Sequence, residues 1–474
     1  MSNATESLYA AWKKIYPRYQ LGFFRTLRSS LYTAQLVIFF FLPFLRWERP
    51  SGLPNQAILF DLPGRKFYIF DLMIWPQDII LLAFLLMAAA LGLFFITALG
   101  GRVFCGYMCI QTVWTDLLLH VELLFEGNRK QRIKFDHSPL SVKKFLIKGG
   151  KHFTWLLISA ATGVAFVNYF MDAPTFWRQL FTGELPTPAL LTVAFLTATT
   201  YLMAGLAREQ VCIYMCPYAR FQGAMFDDDT MIVAYHPEIG EPRESNRRIR
   251  TGKTEQGERV GECIDCDACV TVCPTGIDIR NGQQYECITC AACIDACDSV
   301  RERLHASKRT LICYTSLREM GGEKTRWLRP RILYYAVLLS LFFGGMAYYL
   351  NHHAAVELTV IAHRQPMYIV QSDGGIQNNY TMRVLNMTTA PQTYSLAVDG
   401  VPEAVLSIAA IQQHDSDGHP LLTLEPGSVT PFTVYLRQPG TRIESGSLQV
   451  TFTLSALSAS GGTASYHSTF VRPQ

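Results

Sequence analysis

Eight cysteines of the chain fall in two matching runs. Cys263, Cys266, Cys269 and Cys273 precede Pro274, and Cys287, Cys290, Cys293 and Cys297 repeat the spacing before Asp298. Three thiolates so spaced cap one face of a [4Fe–4S] cube, and the fourth of each run ligates the other cube. That rule assigns Cys263, Cys266, Cys269 and Cys297 to one cluster, and Cys287, Cys290, Cys293 and Cys273 to a second. Crossed ligation holds the two cubes close together, which suits electrons passing between them. A zinc ribbon also uses Cys-x2-Cys pairs, but it needs four ligands per metal and longer spacers. Two identical three-plus-one runs fit clusters better than zinc or disulfides. The missing Pro after Cys297 is a minor departure, because Pro shapes the turn and is not a ligand.

A second group of thiols lies nearer the N-terminus. Cys105-Gly106-Tyr107-Met108-Cys109 and Cys212-Ile213-Tyr214-Met215-Cys216 are two copies of one pentad. Each follows an apolar stretch and a basic residue, Arg102 or Arg208. On a helix, a spacing of four puts both thiols of a pair on one face, one turn apart. An internal repeat of this kind suggests two half-sites brought together, with up to four thiolates at a membrane boundary. Soft thiolates with the Met108 and Met215 thioethers nearby suit Cu(I) or an iron–sulfur centre. The plain alternative is that these Cys and Met are small apolar fillers of a packed bundle. Duplication at matching places argues against it. Cys313 stands alone and reads as structural. His120 and His152 read as satisfied polar side chains rather than as ligands of a metal or haem.

These thiols need elements to position them. The chain has 474 residues, 49% hydrophobic and only 17% charged, with a net charge of +4. So low a charge content points to membrane lipid as the surroundings, and the small net charge gives no sign of nucleic acid as a partner. Apolar runs at Leu31–Leu45, Ile79–Leu99, Phe153–Met171, Pro188–Leu206 and Ile332–Leu350 predict about five spanning helices. The stretch between Arg102 and Phe125 contains Asp116, His120 and Glu122, and is expected to be an amphipathic or re-entrant helix packed on the bundle. The first run is too late and its arm (Lys13, Lys14, Arg18, Arg25, Arg28) too basic for a cleavable signal peptide. Basic residues crowd the arm, the loop after the second run and the ferredoxin segment, whereas Asp172–Thr187 holds only Arg178. The positive-inside rule then puts the N-terminus and clusters in the cytoplasm and everything after the fifth span outside. The basic residues of the loop Arg46–Gln77 weigh slightly against this. All 13 Cys lie at or before Cys313, as expected if the Cys-rich part faces a reducing compartment and the tail does not.

Beyond Asn351 the period changes to two. Tyr380, Met382 and Val384 alternate with polar residues. So do Tyr394, Leu396 and Val398; Phe432, Val434 and Leu436; and Leu448, Val450, Phe452 and Leu454. Broken by Asp373-Gly374-Gly375 and Pro426-Gly427, this pattern predicts an antiparallel sandwich of the size of one immunoglobulin-like domain. No catalytic constellation stands out in it, and it reads as a docking or structural module.

Nearly the whole chain resembles the CcoG (FixG or RdxA) family of cytochrome c oxidase accessory proteins, which are membrane polyferredoxins. The resemblance rests on Gly101-Arg102, Cys105-Gly106-Tyr107, Cys109 and Gln111-Thr112-Val113-Trp114-Thr115-Asp116. It rests equally on Arg208-Glu209-Gln210-Val211-Cys212, Cys216-Pro217-Tyr218-Ala219-Arg220 and Asp229-Thr230-Met231-Ile232-Val233-Ala234-Tyr235. It implies a multi-pass protein of the bacterial inner membrane that reduces Cu(II) to Cu(I) for assembly of cbb3-type oxidase. The implied cofactors are two [4Fe–4S] clusters, with copper at Cys105, Cys109, Cys212 and Cys216. The implied partners are copper ions, copper transporters or chaperones, oxidase assembly factors and a cytoplasmic electron donor the sequence does not identify. Where the family's first pair ends in Pro, this chain has Ile110, expected to alter a helix bend. The expected domains are 1–230 (transmembrane), 231–325 (cytoplasmic ferredoxin, α+β), 331–351 (fifth span) and 352–474 (periplasmic all-β sandwich). Two other functions compete: a quinol-linked electron conduit of the NapH or NosR kind, and a non-catalytic assembly scaffold.

Overall fold

A computed structural model describes residues 14–473 apart from 50–52, 244–260, 305–309, 353, 389, 410, 412, 441–445 and 459–460. Lys13 of the basic arm lies outside the described residues. The chain forms two compact units, Met1–Pro43 with Ile79–Gly344, and Phe44–Asp78 with Gly345–Gln474.

Long helices dominate the first unit. They are α1 (Phe23–Phe41), α2 (Ile79–Gly100), α3 (Val103–Tyr107), α4 (Ile110–Glu126), α5 (Arg129–His137), α6 (Val142–Val167), α7 (Ala173–Thr182) and α8 (Thr187–Thr200). Helix α8 runs on as a π-helical turn, Tyr201–Ala207. Then come α9 (Pro217–Gly223), α10 (Ala268–Thr271), α11 (Ala292–Arg303) and α12 (Pro330–Asn351), whose residues from Gly345 on belong to the second unit. Among the described residues, five helical stretches are long and apolar enough to cross a membrane: Phe23–Phe44, Ile79–Gly100, Val103–Glu126, Thr187–Ala207 and Pro330–Asn351. Four coincide with the expected runs. The expected span Phe153–Met171 instead falls largely inside α6, whose first half is lysine-rich and whose N-cap Ser141 accepts from the Lys144 N–H.

Polar residues within α4 are the reason that α4 and α6 belong together. Buried Glu122 accepts from Arg132 (2.9 Å) and Arg208 (2.9 Å) and pairs with Lys151 of α6 (3.3 Å), which also meets Glu126 at 2.7 Å. Lys151 and Arg208 both lie over the Trp155 ring, and the Trp155 indole N–H donates to the Leu118 carbonyl. Charges removed from water are tolerated only when paired in this way. Helix α5, which follows α4, is tied to the N-terminal arm, because its Arg132 and Arg129 donate to the Pro17 and Tyr16 carbonyls and its Asp136 pairs with Lys14.

The ferredoxin segment is built into this unit. The Arg18 N–H donates to the Thr271 carbonyl, and the Asp295 carboxylate of α11 accepts from the Phe24 and Arg25 N–H groups that open α1. A two-stranded sheet, β4 (Ile232–Tyr235) with β5 (Ile312–Thr315), closes its other side. Cys313 lies on β5, with its sulfur 3.2 Å from His236 Nε2.

The second unit is the expected sandwich. One sheet runs β10 (Val405–Ile408), β12 (Val429–Gln438), β8 (Ile376–Asn386), β6 (Val356–Ala362), with β7 (Ile369–Val370) on β8. The other runs β11 (Leu421–Leu424), β9 (Gln392–Asp399), β13 (Ser447–Ala456), β14 (Thr463–Val471). Tyr380, Met382, Val384, Tyr394, Leu396, Val434, Leu436, Val450, Phe452 and Leu454 fill the core between them. The loop Arg46–Gln77, expected to belong to the transmembrane domain, joins this unit instead. It folds into β1 (Ile58–Asp61), β2 (Lys66–Ile69) and β3 (Leu72–Ile74), whose Leu59, Tyr68 and Met73 pack with Leu385. The Lys66 ammonium donates to the Gly427 carbonyl at 2.7 Å. A small sheet with one apolar face needs such a partner to be stable.

Candidate functional site

Both runs of the ferredoxin segment adopt one backbone. Asp265 and Asp267 have φ of 50° and 52°, and the equivalent Thr289 and Ala291 have 53° and 59°. None is glycine, so each left-handed residue costs about 1–2 kcal/mol unless its surroundings demand it. Chain turned this way gathers N–H groups into an anion-binding concavity of the kind found at iron–sulfur sites. One guanidinium pins the first loop: Arg280 donates to Asp265 (2.6 Å), Asp267 (2.7 Å) and Asp278 (2.7 Å). The third cysteine of each run, Cys269 or Cys293, lies at the start of a helix, α10 or α11.

The runs cross in space. Cys293 has Cys273, Cys287 and Cys290 among its interacting neighbours, whereas Cys297 has Cys263 and Cys269. A small cavity is bordered by Cys273, Cys287, Cys290 and Cys293, with Cys269 of the other set also in its wall. Burial pushes the Cys269 thiol up to about 11 and those of Cys287 and Cys297 up to about 12. Such thiols keep their protons near neutrality until a metal displaces them. Among the described residues, no three His, Cys, Asp or Glu side chains converge tightly enough to hold a single metal ion. Thiols gripping the corners of a cube stand farther apart than those around one ion. Eight thiols in two strained, N–H-lined loops therefore fit clusters.

The membrane pairs differ from expectation in one respect. Their two thiols do not share a helix face, because the helix breaks between them. Cys105 lies in α3, while Cys109 is extended (φ −65°, ψ 128°) and caps α4. Cys212 lies in a π-helical turn, Val211–Met215, while Cys216 is extended (φ −77°, ψ 113°) and caps α9. The repeat is thus a repeat of structure, a short turn followed by an extended cysteine and a new helix. Pro217 and Ile110 occupy the same first position of a helix, where proline's missing N–H is not needed. The replacement by Ile110 accordingly leaves the helix start in place and alters no bend. Cys105 has Cys109, Cys212 and Cys216 among its neighbours. Burial, with Cys109 and Cys216 adding, raises the Cys212 thiol to about 11. Met108 and Met215 are 51% and 58% exposed, unlike the half-buried thiols.

Between the two thiol groups lies a shared wall. A Cβ added at Gly106 would stand 2.7 Å from the Ile288 carbonyl oxygen and 3.0 Å from Cys290 Cα. The first membrane pair therefore lies against the loop of the second run. Tyr314 reinforces the contact, donating to the Thr289 carbonyl (2.7 Å) and lying 3.1 Å from the Tyr107 hydroxyl. Arg102 ties all three pieces together. Its buried guanidinium donates to Gln222 Oε1 (2.7 Å), the Ala219 carbonyl (2.8 Å) and the Tyr285 carbonyl (2.5 Å). Arg102 fixes the Gln222 oxygen, which turns the amide nitrogen of Gln222 toward Tyr218. The Cys105 thiol donates to the same Gln222 oxygen at 3.6 Å.

Arg102, Gln222, Gly106 and Arg280 were not singled out as functional from sequence. Only Arg102 carried a signal, its place before the pentad. Arg208, its counterpart in the repeat, does other work by pairing with Glu122. His120 is held between Arg25 and the Asp116 carbonyl, and His152 is 2.9 Å from the Tyr201 hydroxyl.

Comparison with known proteins places this geometry. Residues 207–317 match a family described as a 4Fe–4S dicluster domain, 82–133 a 4Fe–4S binding domain, and 346–473 an IG-like fold at the C-terminus of FixG. The nitrogen fixation protein FixG of Rhizobium meliloti is 40% identical over 465 residues, 91% of this chain and 88% of its own. The RdxA protein of Cereibacter sphaeroides is 44% identical over 405 residues, 84% of each chain. A crystal structure of a FixG-related protein from Vibrio parahaemolyticus covers 25% of this chain and 96% of its own, at 22% identity and a TM-score of 0.21. With two 4Fe–4S matches over its cysteines and such relatives over most of its length, the chain belongs to the FixG/RdxA family of iron–sulfur redox proteins.

Proposed function

We propose that this protein reduces Cu(II) to Cu(I) at Cys105, Cys109, Cys212 and Cys216, in the service of cbb3-type cytochrome c oxidase assembly. The observation that carries the electron-transfer part is the close packing of Gly106, between two residues of the first thiol turn, against Cys290 of the second cluster loop. Cys263, Cys266, Cys269 and Cys297 hold one [4Fe–4S] cluster, and Cys287, Cys290, Cys293 and Cys273 the other. When bound, the clusters supply one-electron redox chemistry. The chain fixes their loops, through Arg280 for the first and Arg102 and Tyr314 for the second. Copper is substrate: Cu(II) takes one electron, and thiolates favour the Cu(I) product. The exposed Met108 and Met215 thioethers suit transient capture of the soft product. Copper and oxidase assembly come from the family resemblance.

The topology in this reading rests on the basic residues, with support from which segments fold together. The loop Phe44–Asp78 and the C-terminal sandwich belong to one compact unit, so both occupy one face of the membrane. The arm from Lys14 to Arg18 meets both α5 and the ferredoxin segment, so these share one face as well. Crossings by α1, α2, α6, α8 and α12 satisfy both conditions when α4 lies along the ferredoxin side. By the positive-inside rule that side is the cytoplasm of a bacterial inner membrane, and the sandwich is periplasmic.

A second reading concerns the membrane thiols, which would hold a further iron–sulfur centre. It is favoured by the 4Fe–4S binding match over 82–133, where Cys105 and Cys109 are the only cysteines. The decisive experiment uses full-length protein, dithionite and a Cu(I)-specific chelator, with iron and sulfide analysis alongside. The copper assignment predicts that Cys212→Ala and Cys216→Ala lose Cu(II) reduction by at least tenfold with iron content unchanged. Wild-type rates in both variants would remove copper from this site, and a stoichiometric loss of iron would favour the further centre.

A further inference from the structure

A cavity of about 430 Å³ opens beside the second cluster loop, with Arg102, Cys287, Thr289, Tyr285, Gly223 and Phe226 in its walls. Its size is that of a small-molecule site, and one wall is a residue of the second cysteine set. It lies level with the ends of membrane helices. The Met231 N–H donates to the Leu99 carbonyl at the end of α2, and the Thr230 hydroxyl to that of Ala98. Arg329, just before α12, donates to the same Ala98 carbonyl.

The lining limits the occupant by charge. Four of the five N–H groups of the Arg102 guanidinium are engaged by Gln222, Ala219, Tyr285 and Cys287, so it cannot give a phosphate the two-pronged grip that recognition of that group uses. Asp227 and Asp228 also line the cavity and repel anions. The Tyr285 and Phe226 rings provide a flat apolar surface, and Gln283 and Thr289 provide neutral polar groups. Two carboxylates beside an arginine that is largely engaged disfavour a nucleotide, and the neutral and aromatic lining suits an uncharged ring with two oxygens.

We propose that this cavity binds the head of a membrane quinol and is the point at which electrons enter. Oxidation of one quinol to quinone releases two electrons and two protons. The two cysteine sets accommodate two one-electron acceptors, so the count balances, and the exposed Asp228 at the cavity passes the protons to water. The inference rests on the electron-transfer reading above and names its electron source.

The test uses full-length protein in nanodiscs under anaerobic conditions. Decyl-ubiquinone binding to the oxidised protein is measured by calorimetry, and cluster reduction by decyl-ubiquinol is followed by EPR. A Cβ at Gly223 would stand 3.8 Å from the Tyr285 ring, so Gly223→Leu fills the cavity, and Tyr285→Ala removes its aromatic wall. Both are expected to weaken quinone binding and slow quinol-driven reduction by at least tenfold. Iron and sulfide content report assembly, and if Gly223→Leu fails to assemble, Tyr285→Ala decides. Dithionite-driven Cu(II) reduction by Gly223→Leu should match wild type, so failure of the quinol site is distinguishable from failure of the copper reading. Absence of binding by wild type, wild-type binding in both variants, or reduction by NADH with none by quinol would overturn the proposal.

Discussion

Replacing Arg102 by Met tests whether one side chain couples the membrane thiols to the cluster loop. The aliphatic bulk is kept and the guanidinium is lost. Gln222 Oε1 and the Ala219 and Tyr285 carbonyls, each within 2.8 Å of Arg102, then lose their donor. An orphaned buried acceptor costs about 1–3 kcal/mol, so three cost about 3–6 kcal/mol if their losses partly overlap. For a unit of this size that corresponds to a fall of roughly 10 °C in the midpoint of thermal bleaching of the cluster absorbance. A cycle with Gln222→Met supplies the internal control. Removing Gln222 also removes one orphan, so the double variant should be less destabilised than the sum by ~1–2 kcal/mol. A midpoint shift below about 3 °C, or strict additivity in the cycle, would refute the reasoning.

Gly106→Ala is expected to push back the loop at Ile288–Cys290, at an overpacking cost of about 1–3 kcal/mol, and to alter the EPR signal of the second cluster alone. An unchanged spectrum would remove the shared wall. Glu122→Gln leaves Arg132, Lys151 and Arg208 with one carboxylate fewer and should destabilise by about 3–5 kcal/mol; a loss under ~1 kcal/mol in a thermal melt would contradict it. The hydrogen bonds from Arg280, outweighing burial, hold the Asp278 carboxyl below its usual range. A depressed folded value means stability that is present above the ordinary carboxylate pKa and lost as pH falls through the lower one. Iron release from the first run should therefore be flat from about pH 7 to 5 and rise below about 4. Arg280→Leu should release iron faster at pH 7 with a flatter acid dependence, and an unchanged profile would count against the role of Arg280.

Chemistry written in short local spacings was legible from the chain alone. The two three-plus-one cysteine runs, the duplicated pentad and the period-two core positions of the sandwich each depend on residues within a few positions of one another. Local geometry settles where such residues point. The same rule misled at Cys105–Cys109, where a spacing of four implied one helix face. Chain breaks at Cys109 and Cys216 are decided by what packs beyond them.

Tertiary structure alone decided the rest. That Gly106 meets Cys290, that Arg102 reaches Gln222 and Tyr285, and that Phe44–Asp78 folds with the C-terminal sandwich are contacts between residues far apart in sequence. So is the satisfaction of Glu122 by Arg132, Lys151 and Arg208, which makes an unusually polar helix stable. Each depends on which buried donor finds which acceptor once the chain is compact, and no local pattern encodes that pairing.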